Sequence, residues 1–125
     1  SIVIRLTHGR VSFLFTGDLQ EEGEEVLLID DPAIVSTALK VAHHGSLDAT
    51  SERFLQEVRP RWAIISAGRN NPFGHPHEQT LERLGQTGAK VFRTDESGTI
   101  EMISDGKCLE AKWGRGYQRW HTVLE

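Results

Sequence analysis

Residues 37–46, TALKVAHHGS, set the fold class of this 125-residue chain. Leu39 and Val41 belong to a short apolar run that reads as a buried strand, and the run ends on two histidines, a glycine and a serine. If the strand continued through the pair, His43 would follow Leu39 and Val41 on one face. His44 would then follow Lys40 and Ala42 on the other. Only one ring would be a direct ligand, the other touching substrate or supplying an outer hydrogen bond. A sharp turn at Gly45 would instead bring both side chains toward one pocket. The plain alternative is two satisfied polar residues where a strand stops.

Working outward, IVIRLT alternates apolar residues, HGR turns the chain, and VSFLFTGD is apolar on both faces, which predicts a hairpin whose second strand is central. LQEEGEEVLLI, acidic early and apolar late, predicts a short helix. After the histidines, TSERFLQEVRP predicts a helix capped by Thr50 or Ser51, with Phe54, Leu55 and Val58 inward and Pro60 beyond its end. RWAIISAG is another buried strand. HPHEQTLERLGQTGAK predicts a helix with Pro76 at its first position, Leu81 and Leu84 on one face and Gly88 as its stop. KVFRTDESGTIEMIS reads as a β-hairpin around DESG, and the remainder as one more strand and a loosely ordered tail. The expected domain covers residues 1–112 and the tail residues 113–125. Short buried strands alternating with helices define an α/β class, a mixed β-sheet with flanking helices. TGD, HHGS and GRNNPFGHPH each follow a buried strand, at the sheet edge where α/β proteins build ligand sites.

Composition narrows the function classes. The hydrophobic fraction of 38%, charged fraction of 26% and mean hydropathy of −0.38 are those of a globular domain. Apolar runs such as VSFLF fall far short of a membrane span. A net charge of −4 argues against gripping nucleic acid by a broad basic face. Cys108 is the single cysteine, so any metal would be held by histidine and carboxylate. Ser1 leads directly into strand-like sequence, so a domain cut from something longer is expected, with the final Leu-Glu expected to be a cloning remnant.

The candidate chemistry lies on the three loops. Asp18 either caps the following helix or projects over the sheet edge, where a carboxylate can bridge two divalent cations. His75 and His77 flank Pro76 at a helix start, a setting that suits phosphate or another oxyanion, or that simply makes His75 a cap. Ser46, Asn71 and His77 are the candidate substrate contacts, His75 the candidate catalytic residue. Asp18, His43 and His44 are the candidate metal ligands. These are too few for two metals, and no HExxH spacing occurs. KWGRGYQRW combines three basic and three aromatic residues and could stack on single-stranded DNA, or be a solvated tail.

FLFTGD, LKVAHHGS, SERFLQEVRPRWAIIS, NNPFGHPH and LERLGQTGAKVFRTDESGTI, in this order, strongly resemble the carboxyl-terminal metallo-β-lactamase-like domain of ComEC-type competence proteins, which are DNA-uptake channels. The resemblance covers about residues 1–103. It implies half of an αββα sandwich, with the HxHxDH-bearing half absent. It implies that Asp18 is the metal-bridging aspartate, that one of His43 and His44 is the last metal-binding histidine, and that His75 faces substrate. The implied cofactors are two divalent ions, zinc or manganese. The implied activity is hydrolysis of DNA phosphodiesters, degrading the strand that is not imported. Implied partners are DNA, the missing amino-terminal half and a membrane channel portion. The fragment alone is expected to bind metal weakly, to be inactive, and to self-associate through its uncovered sheet face. Two other readings stay open: a phosphodiesterase or esterase of the same fold with a small substrate, and a non-catalytic docking module.

Overall fold

The computed structural model describes residues 1–30, 33–114 and 118–124. Strands β1 (Ile4–His8) and β2 (Val11–Phe15) form the expected antiparallel hairpin. β3 (Ala38–Lys40), β4 (Trp62–Ile65) and β5 (Lys90–Arg93) add parallel to β2, in the spatial order β1-β2-β3-β4-β5. The chain returns between parallel strands through helices α1 (Glu21–Asp30), α2 (Glu52–Val58) and α3 (Glu78–Gln86). The result is the α/β class expected, a mixed sheet flanked by helices.

Strand alternation divides the apolar residues between two cores. Leu14, Leu39, Ala63 and Ile65 point to one face and meet Phe54, Leu55 and Val58 of α2 and Leu84 of α3. Val11, Ala38, Trp62 and Phe92 point to the other and meet Leu109, Ala111 and Leu124. These last belong to a second, antiparallel sheet of β6 (Ile100–Ser104), β7 (Cys108–Trp113) and β8 (Gln118–Val123) or follow it. Phe92 stacks edge-on with both Trp62 and Trp113, centroids 5.2 Å apart in each pair, which ties the sheets together.

The second sheet leaves the face over β1 open. Ile2, Ile4, Leu6 and Phe15 are exposed, and a cavity of about 620 Å³ lies between Leu6, Phe13, Phe15, Ile64 and Met102. Lys40 also lines it, and burial pushes its amine below the ordinary value while Asp18 partly opposes the shift.

The helix signals of α2 and the stop of α3 are as expected. Ser51 accepts from the Phe54 N–H, Phe54, Leu55 and Val58 are buried, and Gly88 takes a positive φ just past the α3 cap. Four expectations are corrected. DESG is no hairpin: Thr94–Ser97 forms a single helical turn, α4, and carries the chain from β5 in the first sheet to β6 in the second. Pro76 does not open α3, because His77 is the cap and Glu78 the first helical residue. The third strand ends at Lys40, so His43 and His44 lie beyond the strand and its alternation. Within the expected tail, Gln118–Val123 pairs along the whole of β7, and Leu124 is only 6% exposed, since the uncovered side of β7 and the Val11 face both need an apolar cover. Of KWGRGYQRW, residues 115–117 lie outside the described residues.

Candidate histidine site at the carboxyl edge of the sheet

The loops after β2, β3 and β4 converge at one edge, as the strand order requires. After β3 the backbone turns left-handed at three successive residues, His43 (φ 49°), His44 (φ 56°) and Gly45 (φ 82°). For two non-glycine residues this conformation costs roughly 1–2 kcal/mol each. It persists because neighbours hold it: the His43 N–H donates to the Gly17 carbonyl at 2.8 Å, and the Gly45 carbonyl accepts from the His77 N–H at 2.8 Å. Gly45 is dictated by packing as well as by φ, since a Cβ there would sit 2.7 Å from the Cβ of Pro76.

This turn puts both rings beside a third. Ring centroids are 6.4 Å apart for His43 and His44, 5.7 Å for His43 and His75, and 6.5 Å for His44 and His75, the last pair nearly parallel at 20°. The His44 Nδ1 lies 2.7 Å from the Ser66 carbonyl. A carbonyl only accepts, so Nδ1 carries the proton and Nε2 of the neutral ring keeps its lone pair. The His43 Nδ1 is buried without a hydrogen-bond partner, and stands 3.8 Å from an Asp48 carboxylate oxygen. Burial pushes His75 below its ordinary pKa, with the two neighbouring imidazoles acting in the same direction.

Asp18 is exposed, one residue past the Gly17 carbonyl that receives His43, and α1 starts three residues later at Glu21. Ser46 is buried; its hydroxyl donates to Asp48 at 2.5 Å and its carbonyl accepts from the Thr80 hydroxyl at 2.9 Å. Asn71 is occupied by its own loop: its Oδ1 accepts from the N–H groups of Phe73 and His75, and its Nδ2 donates to the Gly68 and His75 carbonyls. The His77 Nδ1 accepts from the Gln79 N–H and so caps α3. The histidines of two loops therefore come together, while Asn71 and His77 hold backbone.

Asp48 is the residue that sequence reasoning passed over. Its carboxylate bonds Ser46 and Gln20, its carbonyl accepts from the Glu21 N–H, and the Ser46 hydroxyl holds its carboxyl below the ordinary carboxylate value. A carboxylate five residues after a histidine has no distinguishing spacing; only the turn at residues 43–45 brings the two near.

Two nitrogens with lone pairs on adjacent loops, beside carboxylates, are chemistry suited to a divalent ion. Nevertheless, among the described residues no three His, Cys, Asp or Glu side chains are grouped so as to hold one. The donor set fits part of a coordination shell.

The fold and site thus define an α/β domain with a histidine cluster at the carboxyl edge of its parallel strands. In sequence it is 45% identical over 101 residues to ComE operon protein 3 of Bacillus subtilis, a match covering 81% of this chain and 13% of that protein. It is 40% identical over 123 residues to Recombination protein 2 of Haemophilus influenzae, covering 98% of this chain and 15% of that protein. It is 38% identical over 103 residues to Competence protein ComA of Neisseria gonorrhoeae, covering 82% and 15%. The chain therefore spans about one seventh of the length of these curated relatives, one of which carries competence in its printed name. No family model and no solved structure matches it. Among the described residues no helix is long and apolar enough to cross a membrane.

Proposed function

We propose that this chain is part of a metal-dependent hydrolase domain in a membrane-attached competence protein, acting on DNA phosphodiesters during uptake. The observation that carries this is the cluster of His43, His44 and His75, built by a left-handed turn that nothing in strand packing requires. The similarity to competence proteins supports the DNA setting. In this reading the chain is one half of a metallo-β-lactamase-type αββα sandwich. Asp18 and one of His43 and His44 would hold two zinc or manganese ions together with ligands from the other half, and His75 would face the phosphate. Bound metals would supply an activated water and neutralise the leaving oxygen. The uncovered face over β1 is where the other half or, in its absence, a second copy packs.

The test uses the longer polypeptide in which this segment is embedded. Cleavage of DNA with Mn²⁺ or Zn²⁺ is expected, with metal content and cleavage both lost in Asp18→Ala. Unchanged cleavage in that variant would sink the assignment of Asp18. A non-catalytic docking module is the second reading, favoured by the lack of any three-donor group among the described residues. It predicts DNA or partner binding by a longer polypeptide that carries no metal.

A further inference from the structure

Phe73 is 76% exposed, on the loop that carries His75. A single exposed phenylalanine is ordinary, but this one is held in place and aligned. Its N–H donates to the Asn71 Oδ1 at 3.1 Å, the same oxygen takes the His75 N–H, and the Asn71 Nδ2 closes the loop against the Gly68 carbonyl. Its ring lies 5.9 Å from that of His75 at an interplanar angle of 28°, and His75 lies nearly parallel to His44. Phe73 therefore continues the run of rings out of the histidine cluster, with open solvent on its outer side. Holding an aromatic ring ready in this way removes most of the ordering cost of using it.

We propose that Phe73 is a stacking platform for an unpaired nucleobase, placing the adjoining phosphate at the histidines and selecting single-stranded DNA. This deepens the preceding proposal and rests on its choice of DNA as ligand. Stacking needs no positive charge, which suits a chain with a net charge of −4 and with Asp48 beside the cluster. Bases in a duplex have both faces covered by neighbours, whereas a single strand offers a free face on every base. The preference is tolerant of sequence, because every base has such a face. Arg69, exposed earlier in the same loop and in no ion pair among the described residues, is the nearest cation along the chain for the backbone.

The experiment measures binding of the 125-residue chain to oligothymidylate and to an abasic oligonucleotide of equal length, by fluorescence anisotropy. Oligothymidylate should bind about five- to a hundredfold more tightly than the abasic strand, as one stacked base implies. Phe73→Ala should abolish that difference without changing abasic binding, and Phe73→Trp should retain it. Irradiation with 5-iodouracil in the oligonucleotide should cross-link at Phe73, located by mass spectrometry. Equal binding of the two strands by the unmodified chain, or loss of both in Phe73→Ala, overturns the stacking role and leaves DNA as ligand. Failure of either strand to bind overturns the stacking role and counts against DNA as well.

Discussion

The two loops that carry the histidines are held in opposite ways. The loop after β3 is gripped from every side. Glu24, 1% exposed, accepts from the N–H groups of Thr50 and Ser51, while Arg83 donates to the carbonyls of Leu47, Ala49 and Thr50. Gly17, Thr80 and His77 bind the segment between. The loop after β4 depends chiefly on one side chain, the Asn71 amide, and on the Thr94 hydroxyl, which bonds the Ala67 N–H and carbonyl at its base. A strained turn needs many holders, because each left-handed histidine is a conformation the chain would leave if released. The loop after β4 has a single non-glycine left-handed residue, Asn70 (φ 56°), and asparagine tolerates that conformation, so one amide can organise it and leave it easier to open.

The point where the two loops meet should be the most sensitive. In Gly45→Ala the new methyl meets Pro76 while the residue is forced to keep φ 82°, and a loss of roughly 3 kcal/mol is expected. Denaturant unfolding reads that loss, and a stability unchanged within error would show that the loops are not packed as described. Next comes the grip on the first loop. Glu24→Ala leaves one buried and one half-buried N–H group without their charged acceptor, for an expected loss of about 2–3 kcal/mol. Arg83→Met, which keeps the aliphatic stem but no donor, should move stability in the same direction by less. If either variant left the His43 environment unaltered by NMR, the loop would be holding itself.

Much of this frame was legible in the sequence, and the exceptions share a cause. The hairpin of β1 and β2, the alternation that fills both faces of β2 and β4, and the Ser51 cap are local patterns, and each formed as expected. What was missed depends on partners distant in the chain. Gly45 signals a sharp turn, but the left-handed backbone of His43 and His44 themselves has its cause in Gly17 and Pro76, 26 residues before His43 and 33 after it. DESG has turn composition, and only the presence of a second sheet decides that β6 leaves rather than returns. The convergence of the loops at one edge was readable, because parallel order alone imposes it.

The second loop should separate local from global effects. Asn71→Ala is expected to lower global stability by only about 1 kcal/mol, since the loop contributes little to either core. Amide exchange at Phe73 and His75, whose N–H groups lose their shared acceptor, should accelerate far more than exchange in β4. Uniform acceleration across both would mean that this loop is as integral as the first.

The smallest effect is expected below that loop, where β5 ends. Arg93 grips Asp95 with two hydrogen bonds, of 3.1 and 2.7 Å, and takes Glu96 at 2.8 Å, beside the Thr94 that holds Ala67. The guanidinium holds the Asp95 carboxyl below its ordinary value. A depressed carboxylate binds fewer protons folded than unfolded, so its contribution is complete above the unfolded value of about 3.9 and disappears as pH falls through the folded one. Asp95→Asn should therefore cost roughly 0.5 kcal/mol at neutral pH, a figure kept small by solvent around the pair. The gap between the two proteins should close on acidification below about pH 4. Urea unfolding across that range measures it, and a gap that stays constant with pH would assign the cost to lost packing rather than to the ion pair.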